Sequence, residues 1–127
     1  MTTSKIKSLG IVLFAHGSRD PQWSKPIEAI AYKVSKASNA CLVRCAYLEM
    51  MTPSLESVMA ELVLLGVTHI RIAPMFLGVG KHAREDLPEM TKRLAKDYPN
   101  IQIQLMPSIG EHPELIATIS NILTKSL

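Results

Sequence analysis

The run Leu9-Gly10-Ile11-Val12-Leu13-Phe14-Ala15 is apolar throughout and stops abruptly at His16-Gly17-Ser18-Arg19-Asp20. A strand with one wet face alternates apolar and polar residues, whereas a strand covered on both faces does not. This run therefore reads as the central strand of a parallel sheet. Gly10 within it and Gly17-Ser18 after it favour strand then loop over a short buried helix. In open α/β sheets, ligands bind beyond the carboxyl ends of the strands, so His16, where the run stops, is the first candidate for a function. Its plainer role would be to cap the strand and hydrogen-bond the loop.

The rest of the chain alternates helical and strand periodicity. Ile27, Ile30, Ala31 and Val34 recur at i, i+3, i+4 and i+7, which predicts a helix with one buried face. Ser24 would cap it, Pro26 fits its first turn, and Ser38-Asn39 ends it. Cys41 to Leu48 form a second strand whose single charge is Arg44, ending at Glu49-Met50-Met51. Thr52-Pro53 reads as N-cap and N1 of a helix with Leu55, Val58, Met59 and Leu62 on its apolar stripe, closed by Gly66. A third strand, Thr68 to Pro74, feeds the segment Met75-Phe76-Leu77-Gly78-Val79-Gly80-Lys81-His82, which keeps four large apolar side chains where a loop is normally polar. Such a loop needs something apolar to lie against. Asp86 and Glu89 have capping-box spacing, so the next helix is expected to start between Ala83 and Pro88 and to bury Leu87, Met90 and Leu94.

Ile101, Ile103 and Leu105 alternate with Gln102 and Gln104, the mark of a half-exposed edge strand. A last helix, with Pro113 in its first turn, carries Leu115, Ile116, Ile119, Ile122 and Leu123 on its expected buried face. The order β-α-β-α-β-α-β-α implies one α/β domain over residues 1–127, a single four-stranded parallel sheet flanked by helices, with residues 1–8 as a flexible N-terminus.

Composition excludes several classes. A length of 127 residues with 47% hydrophobic composition suits one domain with a real core. The net charge of +3 could help an anionic ligand approach, but no basic block is present and there are only six aromatics, one Trp, three Tyr and two Phe, so no nucleic-acid partner is expected. Nowhere do ~18 apolar residues run together and no signal peptide is evident, which points to a cytoplasmic protein with no membrane role. Cys41 and Cys45 are spaced C-x3-C, which on a strand puts them on one face and favours two reduced thiols over a bridge or metal site.

Three residues stand at or just past strand ends: His16, Glu49 and His82, each 33 residues from the next. Every βα unit returns the chain to the same rim, and two imidazoles with a carboxylate suit a first-row divalent ion better than magnesium or calcium. Unconnected strand-end polar residues would look the same. Gly78-Val79-Gly80-Lys81 is no Walker A loop, because Met75 and His82 stand where Gly and Ser or Thr are needed. A phosphohistidine at His16, with Arg19 holding phosphate, uses the same residues but leaves the apolar Met75 to Val79 loop unexplained. His69 and His112 read as surface or capping residues.

His16-Gly17-Ser18-Arg19, Tyr47-Leu48-Glu49 with Thr52-Pro53-Ser54-Leu55, and Pro74-Met75-Phe76-Leu77-Gly78-x-Gly80-x-His82 with Asp86-Leu87-Pro88 together resemble the short form of the class II chelatases, the sirohydrochlorin chelatases of cobalamin and sirohaem synthesis. The resemblance runs from about Leu9 to Leu123. It implies a chelatase-like α/β fold corresponding to half of a two-domain class II chelatase, and insertion of a divalent metal into a tetrapyrrole. The metal is a substrate, cobalt first, with iron and nickel fitting the same ligands, and no organic cofactor is expected. For the short form the resemblance also implies a homodimer. It makes His16 and His82 the metal-binding histidines and matches Glu49 to a carboxylate at the end of the second strand. A tetrapyrrole has an apolar face and a carboxylate fringe, so Met75, Phe76 and Leu77 are candidates for its wall and Arg19, Lys81 and Arg84 for its carboxylates. Tyr47 stands where Phe is expected in many relatives. A non-catalytic carrier of metal or tetrapyrrole would use the same residues.

Overall fold

Parallel strands cannot be joined by tight turns, so each strand of a parallel sheet must be followed by a crossover long enough to hold a helix. The computed structural model, which describes residues 7–127, is built that way. The elements are β1 (Leu9–Ala15), α1 (Lys25–Ala37), β2 (Cys41–Tyr47), α2 (Leu55–Leu64), β3 (His69–Pro74), α3 (Lys81–Asp97), β4 (Gln102–Leu105), a 3₁₀ turn (Ile109–Glu111) and α4 (Pro113–Thr124). The four strands are parallel in the order β2-β1-β3-β4. The expected central strand is thus central, and the alternating β4 is an edge. Of the segment expected to be flexible, residues 1–6 lie outside the described residues, whereas the Ser8 carbonyl accepts from the N–H groups of Thr68 and His69 at 2.9 and 3.0 Å. No described helix is long and apolar enough to cross a membrane.

One side of the sheet holds the core. Val12 and Phe14 of β1, Ala46 of β2, and Ile70 and Ile72 of β3 form one buried cluster with Leu55, Val58, Met59 and Leu62 of α2 and Leu87 and Leu94 of α3. Arg44 has the same strand parity and reaches α2, where its Nε donates to Glu61 at 2.9 Å. The other side also buries Leu13, Ala15, Cys41 and Tyr47, under a smaller cover. There α1 lies against β2, with the Cys45 sulfur 4.0 Å from the Ile27 carbonyl oxygen. Cys41 is buried and Cys45 half-buried, and the two are not bridged.

Two helices depart from the expected packing: neither α1 nor α4 has a single buried residue. Ile30 is 43% exposed, and on α4 Ile116, Ile122 and Leu123 are 60, 65 and 72% exposed. Periodicity tells which residues share a helix face, but not whether anything lies against it.

Two helix starts also differ from the sequence reading. Thr52-Pro53 does not open α2; Ser54 caps it, its Oγ accepting from the N–H of Ser57 at 3.2 Å. Pro53 is still engaged with the sheet, its carbonyl accepting from the N–H of Tyr47 at 2.9 Å. Likewise α3 begins at Lys81, with Gly80 as N-cap, so Asp86 and Glu89 lie within the helix and Pro88 interrupts its interior. The apolar loop before it and the capping-box spacing pointed to a start one turn too late.

Candidate metal centre

The strand order decides where a site can form. After β1 the chain leaves for α1 on one side of the sheet, and after the neighbouring β3 it leaves for α3 on the other. Two connections that diverge from adjacent strands open a crevice at their carboxyl ends. His16 is the first residue past β1, and His82 is the second residue of α3.

The loop between them is pinned from below. Met75 donates its N–H to the Phe14 carbonyl at 2.7 Å, extending β3 alongside β1 by one residue. Phe76 is thereby buried, and its ring lies 4.6 Å from that of His16, tilted by 50°. The apolar loop has found what it needs to lie against: the end of β1 and an imidazole. His16 and His82 line one recess of about 390 Å³ with Phe14, Leu48, Phe76, Ala83, Leu87 and Met90 as apolar wall and Asp86, Glu89 and Arg93 as its charges. Both histidines remain exposed. Imidazoles open to solvent at an apolar recess can meet a hydrated cation and a flat apolar molecule at the same place.

Glu49 reaches this rim through its backbone. Its N–H donates to the His16 carbonyl at 3.1 Å, and Leu48 N–H donates to the Ala15 carbonyl at 2.9 Å, so β1 and β2 stay paired past their formal ends. Gly17 makes that approach feasible. Its φ of +93° is left-handed, and a Cβ there would collide with the Glu49 carbonyl oxygen. The Glu49 side chain is exposed and is not among the residues lining the histidine recess. Among the described residues, no three His, Cys, Asp or Glu side chains converge as a metal-holding group.

The other residues singled out in the sequence are spread around the rim. Arg19 lines an open hollow beside Met50, Met51 and Thr52. Arg84 lines a separate recess of about 350 Å³ with Val79, Leu105 and Pro107. Leu77 faces α4, and Lys81 lies exposed at the first position of α3. Sequence reading missed Asp86, Glu89 and Arg93, although His82, Asp86, Glu89 and Arg93 fall at i, i+4, i+7 and i+11. That spacing is one helix face, but it is visible only once α3 is known to start at Lys81.

Away from the recess, burial pushes the Cys45 thiol up, and the Glu28 carboxylate adds to the rise. Burial does the same to the Tyr47 phenol, with Cys45 and Glu28 adding to it. Tyr47 packs edge-on to Trp23 at 6.3 Å, under the start of α1.

The family model for CbiX matches residues 10–126. Among solved structures, a CbiX protein from Marinobacter aquaeolei superposes with a TM-score of 0.81 and 31% identity, covering 92% of this chain and 95% of that one. SirB from Bacillus subtilis subspecies spizizenii, a sirohydrochlorin chelatase solved in complex with cobalt, superposes with a TM-score of 0.78 and 27% identity, covering 94% of this chain and 51% of that one. The sirohydrochlorin cobaltochelatase of Methanococcoides burtonii is 28% identical over 121 residues, 89% of this chain and 92% of its own length. Other curated relatives are longer: this chain spans 50% of the chloroplastic sirohydrochlorin ferrochelatase of Arabidopsis thaliana, at 25% identity, and 88% of its own length is matched.

Proposed function

The chain belongs to the CbiX family, and from that premise we propose that it is a sirohydrochlorin chelatase, inserting a divalent metal into the tetrapyrrole as a homodimer in the cytoplasm. Cobalt is the first candidate, with iron and nickel as alternatives. The observation that carries the reading is the single recess shared by His16 and His82, with Phe76 against the His16 ring. Relatives named as cobaltochelatase and ferrochelatase support both the reaction and the class of metal.

In the proposed reaction, neutral imidazoles of His16 and His82 take the hydrated ion and exchange for part of its water shell. The macrocycle lies with its apolar face towards Phe76 and the neighbouring wall, and cations along the rim, Arg19, Lys81 and Arg84 among them, meet its carboxylate fringe. Insertion of a divalent ion releases two pyrrolic protons. Glu49 at the rim and Asp86 and Glu89 in the recess are carboxylates placed to accept them, alongside the histidines once these have given up the metal.

The test is anaerobic absorption spectroscopy of sirohydrochlorin with cobalt, iron or nickel at limiting protein. Wild type should turn over many equivalents, and His16→Ala and His82→Ala should each lower the rate by about 10²-fold or more, in the range of removing an acid–base or metal-positioning group. Rates at the uncatalysed background with all three metals would overturn the reading in favour of a carrier that binds without inserting.

A further inference from the structure

His82, Asp86, Glu89 and Arg93 share one face of α3, and that face is a wall of the histidine recess. Its charges are sorted by sign. The two carboxylates follow His82, and Arg93, the one permanent cation among the described residues lining the recess, comes last. Leu87 and Met90, buried and half-buried, line the same recess between them. From His82 to Arg93 the helix rises about 16 Å. Side chains on a helix lean towards its N-terminus, which carries the guanidinium back over the recess in the direction of the histidines.

Arg93 is also uncommitted. Among the described residues the ion pairs join Arg44 to Glu61, Lys92 to Glu89 and His112 to Glu114, and none engages Arg93. Glu89, at the i−4 position where a partner for Arg93 would stand, meets Lys92 at 3.9 Å instead. A guanidinium left without a carboxylate at the edge of an apolar recess offers a pair of parallel N–H donors to a planar anion.

We propose that Arg93 is the substrate anchor of this site, taking one peripheral carboxylate of the tetrapyrrole while the ring lies over Leu87 and Met90. This rests on the chelatase reading above and names the residue that fixes the substrate within it. Arg19 and Arg84 line other hollows and Lys81 lies exposed at the start of α3, so none of the three shares a recess with His16 and His82. Asp86 and Glu89 sharpen the choice. They stand between His82 and Arg93 and repel a carboxylate brought to the middle of the face, so the anionic edge of the ligand is accepted at the Arg93 end alone.

The experiment pairs absorption titration of metal-free sirohydrochlorin with steady-state cobalt insertion, for wild type, Arg93→Gln, Arg93→Lys and Lys96→Gln. Lys96→Gln removes the same charge from the same helix at an exposed position outside the recess. Arg93 is exposed, so its variants should keep the wild-type far-UV spectrum. Arg93→Gln should raise both the Kd and the KM for sirohydrochlorin about tenfold or more, the size of a hydrogen bond to a charged group. The KM for cobalt and kcat should stay within about twofold, as expected when a group binds ground state and transition state alike. Arg93→Lys should recover part of the affinity, because a point charge replaces a planar fork, and Lys96→Gln should bind as wild type does. An unchanged Kd in Arg93→Gln, or an equal loss in Lys96→Gln, overturns the anchor and leaves the chelatase reading standing. A wild type that binds sirohydrochlorin without turning over overturns the chelatase reading, and the Kd comparison then still decides on Arg93. A wild type that does not bind sirohydrochlorin overturns both.

Discussion

Gly17 is the residue on which the His16 rim depends most directly. Its left-handed φ and the missing Cβ let the Glu49 carbonyl pass close by, so that the Glu49 N–H can hold the His16 carbonyl. Gly17→Ala should cost about 1–3 kcal/mol from the backbone conformation, with the collision added. Gly78→Ala, where a Cβ would meet nothing within 4 Å, should stay within about 0.5 kcal/mol; urea melts of the two compare them directly. Cys45 and Tyr47 make a second prediction. Their folded-state pKa values are raised above the ordinary 9.0 and 10.0, so the unfolded chain loses these protons first as pH rises. The contribution of Cys45 is present below its unfolded value of 9.0 and is lost as pH rises past it, and that of Tyr47 follows past 10.0. Melting temperature should fall as pH rises through 9.0 and on past 10.0, and Cys45→Ala with Tyr47→Phe should flatten that fall. At this scale His16 was legible because an apolar run has a sharp end, whereas the Glu49 backbone contact was not, because no side-chain pattern encodes a hydrogen bond between two loop amides.

Among the elements, α3 ties stability to the site. Pro88 has no N–H to offer the Arg84 carbonyl, and its ring crowds that turn. Pro88 falls between His82 and Asp86 on one side and the buried Leu94 on the other, one residue after the buried Leu87. Pro88→Ala should restore the turn and stabilise the fold by up to about 3 kcal/mol. In the proposed reaction it should also change the rate of metal insertion, because the turn that gains the hydrogen bond belongs to the helix that carries His82. A thermal melt and the absorption assay on one preparation check both arms. The four strands, their edge and the α2 stripe were legible in the sequence because period and composition agree there. The start of α3 was not, since Gly80 caps it without a side-chain signal and the Asp86 to Glu89 spacing imitates a cap further on. One misplaced turn was enough to hide three charged residues of the recess.

The whole molecule is lopsided. Its largest fully buried side chains, Phe14, Met59, Leu62, Ile70 and Ile72 among them, belong to the layer between the sheet and α2 with α3. The opposite layer has α1 alone against β2. The amphipathic pattern is stronger in α1 and α4 than in the core helix α2, so the sequence could not reveal this asymmetry; it shows only when each apolar face is asked what it touches. At the rim, the same structure brings together His16 and His82 and no convergent set of three donors among the described residues. In the proposed reaction these two imidazoles would make a shallow holder, while the macrocycle offers four nitrogens. Under that reading the chelate effect would run downhill from protein to ring, and the shallowness of the holder would let the metal go.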